Sequence, residues 1–192
     1  MKVKASTDLR KSAKSLDVIQ PLADVVQPFG RLAPARIGLS VEVRQKGVAA
    51  LNRMLAHTLA LRDLYKKNHW QTHGATFYQL HLLFDKHSSE QAELADEIAE
   101  RVQTLGGVSL ALASDTAGES RLSRAPRGRE SVEAEIEELC AAHETILVEA
   151  RALAREAADR GDDGTNDLLV SGVVRTNELQ CWFVVEHQAG AA

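Results

Sequence analysis

Two helix-length stretches joined by a single turn constrain the fold of this chain more than any other feature. From residue 40 to residue 72, apolar side chains recur at steps of three and four residues, the period of an amphipathic helix. The pattern resumes from residue 76 to residue 105 after a turn at Gly74, and Gly106-Gly107 then gives a strong stop signal. We therefore predict an antiparallel helical hairpin.

A second pair of helices is predicted in the C-terminal half. Ser131 is a good N-cap with acidic residues in the turn after it, and Thr165 can cap a fourth helix that reaches about His187. The Ser-, Gly- and Pro-containing stretch 108–130 reads as a long connection with room for a short helix. This order predicts an all-α domain over residues 39–192, a ferritin-like four-helix bundle with a long crossover between helices two and three. Residues 1–38, broken by prolines, form a tail or arm.

Composition limits the class of protein. A chain of 192 residues suits one ordinary domain, and a formal net charge of −4 does not favour nucleic-acid binding through the body of the protein. The sequence contains no apolar run of membrane-spanning length and no apolar signal core, so we expect a soluble, cytoplasmic protein without membrane partners. Cys140 and Cys181 lie far apart in sequence and are expected to be reduced thiols.

Five side chains that can ligate a metal fall within 32 residues of the predicted hairpin. They are His69, His81, Asp85, Asp96 and Glu100. Mixed imidazole and carboxylate ligation suits a redox-active metal such as iron better than a structural zinc, which favours cysteine. We therefore predict an iron site, with zinc at or near the same position as the alternative.

The spacing of these residues makes a geometric demand. His81 and Asp85 share one helix face, Asp96 and Glu100 repeat that relation, and the 11 residues between the aspartates return to nearly the same face about 16 Å along the helix. The two pairs are therefore too far apart to bind one ion together. Packing the helix antiparallel against a copy of itself would bring the first pair opposite the second pair of the partner, which predicts a site at a two-fold dimer interface.

These motifs resemble a known family. The segments KKNHWQTHGATFYQLHLLFD and DEIAERVQTLGG are similar to the signature of the Dps proteins, bacterial mini-ferritins named as DNA-binding proteins from starved cells, and DDGTNDLLVSGVVRTNELQCWFVVEH is similar to their last helix. The resemblance covers residues 40–187. It implies a hollow dodecamer that oxidises ferrous iron, preferably with hydrogen peroxide, stores ferric mineral and protects DNA in the bacterial cytoplasm or nucleoid. It also implies that His69, His81 and Asp85 come from one subunit, and Asp96 and Glu100 from its neighbour.

Several residues keep two interpretations. Trp70 follows a ligand directly, and either it or Trp182 could shape the oxidant pocket or supply an electron, or both could be core aromatics. His73 and His87 could join a metal site or could be surface residues. His57, His143 and His187 are isolated, and we expect each to be structural or exposed.

Two further features bear on partners. Asp162, Asp163 and Asp167 either form a solvated turn that favours a helix start or, as the resemblance suggests, line a pore for cations. The tail carries a modest basic excess, which twelve copies could turn into DNA binding by avidity. Its basic residues are Lys2, Lys4, Arg10, Lys11 and Lys14. Its apolar residues are expected to pack on the shell: Val18, Ile19, Leu22, Val25 and Val26.

Three function classes follow from these observations. The first is an iron-oxidising storage protein that detoxifies peroxide. The second is a DNA-compacting protein with a secondary metal site. The third is a non-catalytic helical bundle that binds another ion such as zinc.

Overall fold

A computed structural model describes residues 24–187, and this part of the chain is helical and contains no strand. The helices are α1 (Val41–Gln71), α2 (Phe77–Thr104), α3 (Ala113–Glu119), α4 (Val132–Asp159), α5 (Asp163–Asp167) and α6 (Arg175–Val185), with a π-helical segment (Leu168–Val174) between the last two. The predicted all-α bundle with a long crossover between its second and third long helices is confirmed. The crossover contains α3.

The first hairpin has nearly the predicted bounds because its ends are set by local chemistry. The Ser40 hydroxyl accepts a hydrogen bond from the Val43 backbone N–H at 3.2 Å and so caps α1. Gly74 turns the chain with a φ of +92°, and α1 and α2 then pack along each other. At the end of α2, Gly106 adopts a φ of +84°, a left-handed conformation that residues with a side chain rarely adopt.

The last helical rod, which consists of α5, the π-helical segment and α6, is capped by a different residue from the one predicted. Asp162, and not Thr165, is the cap: its Oδ1 accepts a hydrogen bond from the Thr165 backbone N–H at 3.1 Å. The same oxygen lies 2.6 Å from Nη2 of Arg101 on α2, and the Asp162 side chain is buried. Because this ion pair joins the rod to α2, Asp162 is a structural residue. Asp163 and Asp167 are exposed, and their pore-lining role remains a prediction.

The bundle core lies between α1, α2, α4 and the last rod. Its largest fully buried apolar side chains are Leu51, Met54, Leu55, Leu61, Leu80, Phe84, Ile98, Leu105, Ile136, Leu139 and Ile146. They follow the three- and four-residue spacing of the sequence, so each long helix turns one apolar stripe inward. None of the helices in the described region is both long and apolar enough to cross a membrane.

Part of the predicted tail is attached to this bundle. The Ala33 backbone N–H donates to the Gly106 carbonyl at 2.7 Å, and Gln27 Nε2 donates to the same carbonyl at 3.0 Å. Val25 and Val26 are exposed in the single chain, and their packing on an assembled shell remains a prediction. The basic residues from Lys2 to Lys14, and the apolar residues Val18 to Leu22, lie outside the described residues.

Candidate metal centre

The end of α1 and the first turn of α2 bring two imidazoles face to face. The rings of His69 and His81 stack with their centroids 3.9 Å apart and their planes inclined by 20°. Each ring contacts the backbone of the other residue: His69 Nδ1 lies 2.7 Å from the His81 carbonyl oxygen, and His81 Nδ1 lies 2.8 Å from the His69 carbonyl oxygen. A carbonyl oxygen only accepts hydrogen bonds, so both Nδ1 atoms carry a proton, and the tautomer of each neutral ring is the one that leaves a lone pair on Nε2. Neutral imidazoles in this tautomer are ready metal ligands.

Asp85 lies beside this pair. It follows His81 by one helical turn, and its Oδ1 lies 3.9 Å from His69 Nε2. The same oxygen accepts a hydrogen bond from Lys66, and this contact lowers the pKa of the Asp85 carboxyl below its usual value. Asp85 is therefore an anion, and it is paired with the ammonium group of Lys66. The contact of Lys66 could not be predicted from local spacing, because its partner is 19 residues away.

Asp96 and Glu100 do not join these three residues within one chain. Both are exposed on later turns of α2, as their spacing requires. Between residues 24 and 187, no three side chains of His, Cys, Asp or Glu lie close enough to hold a metal ion. A single chain therefore carries two separate parts of the predicted ligand set, and the five-ligand site remains a prediction.

Several large aromatic residues of the helices are exposed, and one of them contacts the histidine pair. Trp70 is 68% exposed and Trp182 is 56% exposed. The interpretation of both as core aromatics therefore does not hold within this chain. Phe77 packs against His81 with ring centroids 5.1 Å apart and is also exposed, as are Tyr78 and Leu82. A monomeric protein rarely leaves so many large apolar side chains together in water. The surface around the candidate site is therefore suited to being covered.

The remaining histidines separate into two groups. His73 and His187 are exposed, whereas His57, His87 and His143 are fully buried. The interpretation of His87 as a surface residue is wrong: its ring packs edge-on against Tyr65, with centroids 5.1 Å apart. Neither of its ring nitrogens has a hydrogen-bond partner in the described part of the chain, and burial lowers its pKa to about 4. His87 is thus a neutral core residue.

Comparison with known proteins agrees with this architecture. A family model described as a ferritin-like domain matches residues 48–189. The fold superposes on the solved structure of DpsC from Streptomyces coelicolor with a TM-score of 0.85 and 50% identity, covering 86% of this chain and 96% of that one. An uncharacterized protein of Kitasatospora aureofaciens, named after the bpoA2 5′ region, is 48% identical over 137 residues, 71% of this chain and 91% of its own. The DNA protection during starvation protein of Halobacterium salinarum is 31% identical over 131 residues, 68% of this chain and 72% of its own.

Proposed function

We propose, because the chain belongs to the Dps family of ferritin-like proteins, that it takes up ferrous iron, oxidises it between two-fold related subunits and stores the ferric product in a hollow shell. Hydrogen peroxide is the preferred oxidant. Iron is the substrate and cargo of this activity, and the protection of DNA from oxidative damage is its consequence.

The observation that carries this proposal is the pair of imidazoles with a fixed tautomer. His69 and His81 hold their Nδ1 protons on each other's carbonyl oxygens, which leaves both Nε2 atoms available to an ion near Asp85. Nitrogen ligands hold ferrous iron, and a carboxylate stabilises the ferric product. This donor set fits iron, and it lacks the cysteine that a structural zinc site favours.

The missing acidic ligands would come from a second copy of the chain. On α2, Asp96 and Glu100 are exposed on the face that also carries Asp85, about 16 Å further along the helix. An antiparallel α2 pair related by a two-fold axis would therefore place each acidic pair opposite the partner's histidines, twice per dimer. The exposed aromatic residues around His81 provide the apolar surface that such an interface needs.

The chemistry follows from this ligand set. Two ferrous ions each give one electron to hydrogen peroxide, which takes up two protons and becomes two molecules of water. Pairing the electrons in this way avoids the release of hydroxyl radical. Trp70, exposed beside His69, is proposed to shape the pocket that admits the oxidant.

The test is iron oxidation by the assembled protein. His81→Ala should slow peroxide-dependent formation of the ferric product at least about tenfold, because loss of a ligand or its orientation typically costs ten- to a hundredfold. His187→Ala is the matched control, because His187 is exposed and is not a candidate ligand. Light scattering should give a particle near twelve times the 20.9 kDa chain mass. Equal rates in parent and His81→Ala protein, or zinc binding without any iron oxidation, would contradict the proposal.

We propose DNA binding as a second function. A relative carries DNA protection in its name, and the crossover presents four exposed arginines in nine residues: Arg121, Arg124, Arg127 and Arg129. Binding through phosphates should lack sequence preference and weaken steeply with salt. One variant neutralises the five basic residues from Lys2 to Lys14, and another changes the four arginines to glutamine. Gel shifts at low salt should weaken in both variants, and an unchanged shift in either one would exclude that segment as a contact surface. An absence of binding by the parent would remove this function.

A further inference from the structure

Two consecutive hydrogen bonds link three side chains in the core of the bundle, and none of the three is a candidate metal ligand. Tyr65 on α1, His143 on α4 and Asn177 on α6 are all fully buried. The Tyr65 hydroxyl oxygen lies 2.5 Å from His143 Nε2, and His143 Nδ1 lies 2.9 Å from Asn177 Oδ1. The pairs are 78 and 34 residues apart in sequence, so only the folded bundle brings them together.

The direction of each hydrogen bond in this chain is fixed by its far end. Asn177 Nδ2 donates to the Val173 carbonyl at 2.7 Å, which turns its Oδ1 toward His143. Because Oδ1 is an acceptor, His143 Nδ1 must carry the proton, and its Nε2 must then accept. The Tyr65 hydroxyl is therefore the donor to Nε2. Val173 belongs to the π-helical segment, a kind of irregularity that often marks a functional position.

Both groups are neutral at rest. Burial lowers the pKa of His143 to about 4, and burial raises the pKa of Tyr65 well above its usual value. The pair is therefore a phenol that keeps its proton beside an imidazole that is free to accept it.

Tyr65 is close to the candidate metal centre although it touches none of the proposed ligands. It precedes His69 by one turn of α1, about 6 Å along the helix axis. Its ring also packs against Phe84, the neighbour of Asp85, with centroids 6.0 Å apart. Because Tyr65 has no exposed surface, an oxidant in solution cannot reach it, and electrons must leave it through the protein. Tyr78, the other tyrosine of the chain, is exposed.

We propose that Tyr65 is a one-electron donor to the metal centre and that His143 holds its proton while the electron is away. This role rests on the proposed iron oxidation. It applies when a single ferrous ion meets peroxide, since one electron then yields ferric iron, hydroxide and a hydroxyl radical. Tyr65 supplies the second electron, and the radical takes it with a proton from solvent to become water.

The hydrogen bond to His143 gives the proton of the oxidised tyrosine a place to go. The oxidised phenol loses its proton along the 2.5 Å contact to His143 Nε2, which leaves a neutral tyrosyl radical beside an imidazolium. The imidazolium keeps its hydrogen bonds to Asn177 and to the phenoxyl oxygen, so the buried charge remains paired with acceptors. A later ferrous ion returns one electron to the tyrosyl radical, and His143 returns the proton.

The test is electron paramagnetic resonance of assembled protein, frozen after ferrous iron meets a limited amount of peroxide. Because the chain has two tyrosines, Tyr78→Phe leaves Tyr65 as the only source of a tyrosyl signal. Ring-deuterated tyrosine distinguishes this signal from a tryptophan radical. We expect a tyrosyl signal in the parent and in Tyr78→Phe protein, and at least about a tenfold smaller signal per ferric ion in Tyr65→Phe protein.

His143→Gln should lower the yield and shift the g-value that reports the hydrogen bond to the phenoxyl oxygen. Fluorotyrosine in the Tyr78→Phe background gives a second readout that needs no core mutation, because fluorine must split the signal. A signal that is lost with Tyr78 and kept without Tyr65 would overturn the proposal. Ferric product without any tyrosyl signal would overturn the role of Tyr65 and leave the proposed iron oxidation standing. Absence of ferric product in the parent would overturn both.

Discussion

The reciprocal hydrogen bonds between His69 and His81 decide the tautomer of both rings before any ion binds. Each Nδ1 proton is held by a backbone carbonyl, and backbone atoms at two helix ends move little. The Nε2 lone pairs are thus prepared for a cation without rearrangement. Asp85 differs, because its carboxylate is already paired with Lys66 and must exchange this partner for the metal.

Lys66 is therefore expected to compete with the metal ion. Lys66→Gln should strengthen anaerobic binding of Co²⁺, used as a stand-in for ferrous iron, by up to about fivefold, because the metal then no longer displaces an ammonium from the exposed Asp85 carboxylate. Titration calorimetry measures the change. Lys86→Gln makes the same charge change but frees Glu90, which is not a proposed ligand, and should have a smaller effect. Weaker Co²⁺ binding in Lys66→Gln protein, with unchanged binding in Lys86→Gln protein, would contradict competition between Lys66 and the metal ion.

His143 should make stability depend on pH. Its pKa is about 4 in the folded chain against 6.5 for an ordinary histidine, so between these values the unfolded state binds more protons. The stability is fully present above pH 6.5 and is lost as the pH falls toward 4, by about 2 kcal/mol at pH 5. Urea unfolding at fixed protein concentration should show a smaller loss between pH 7 and pH 5 in His143→Gln protein. An unchanged pH dependence in that variant would contradict the assignment.

At the scale of helices, local signals predicted what local chemistry controls. Two helices begin where the sequence indicates, after the caps Ser40 and Ser131, and α2 ends as predicted before Gly106. Capping and left-handed turns depend on neighbouring residues alone, so local sequence predicts them. The start of the last rod was predicted less well. Asp162 replaces Thr165 as its cap because Arg101, 61 residues away, holds the carboxylate in place. The π-helical segment had no recognisable sequence signal.

The candidate site divides in the same way. The face shared by His81 and Asp85 follows from helix periodicity, and both residues lie beside His69 in the structure. The tautomers, the contact with Lys66 and the Tyr65–His143 pair depend on packing between helices, which spacing within one helix does not encode. Exposure of Trp70 also could not be predicted, because an apolar side chain on a helix faces either its own core or a partner.

Gly106 tests the end of α2. A Cβ added there would lie 2.6 Å from the Ala33 carbonyl oxygen, and the φ of +84° already disfavours a side chain. Gly106→Ala should therefore lower the free energy of unfolding by more than about 1 kcal/mol, measured by urea denaturation. Gly118→Ala is the opposite control: it lies in α3 with open space around it, and alanine there should stabilise by up to about 1 kcal/mol. Equal effects of the two substitutions would contradict this account of the turn.

At the scale of the whole molecule, one chain presents the residues of the proposed site as two separate halves. His81 and Asp85 lie toward one end of the α2 face with His69 of α1 beside them, Asp96 and Glu100 lie near the other end, and the exposed Phe77 packs against His81. An isologous interface uses the same surface twice, so a two-fold pair of chains would complete both halves at once. Iron oxidation and assembly are then a single property of the molecule.

Complementation between two inactive variants tests this claim most directly. His81→Ala and Glu100→Ala homomers should each lack rapid iron oxidation. In a mixed pair of chains, one site collects both substitutions and the other is intact, so random co-assembly should restore about a quarter of the parental sites. Co-assembly of His81→Ala with His69→Ala should restore none, because both substitutions fall on the same half. Stopped-flow iron oxidation on size-selected assemblies should show recovery in the first mixture only. Correctly assembled mixtures that stay equally inactive would contradict a site shared between two chains.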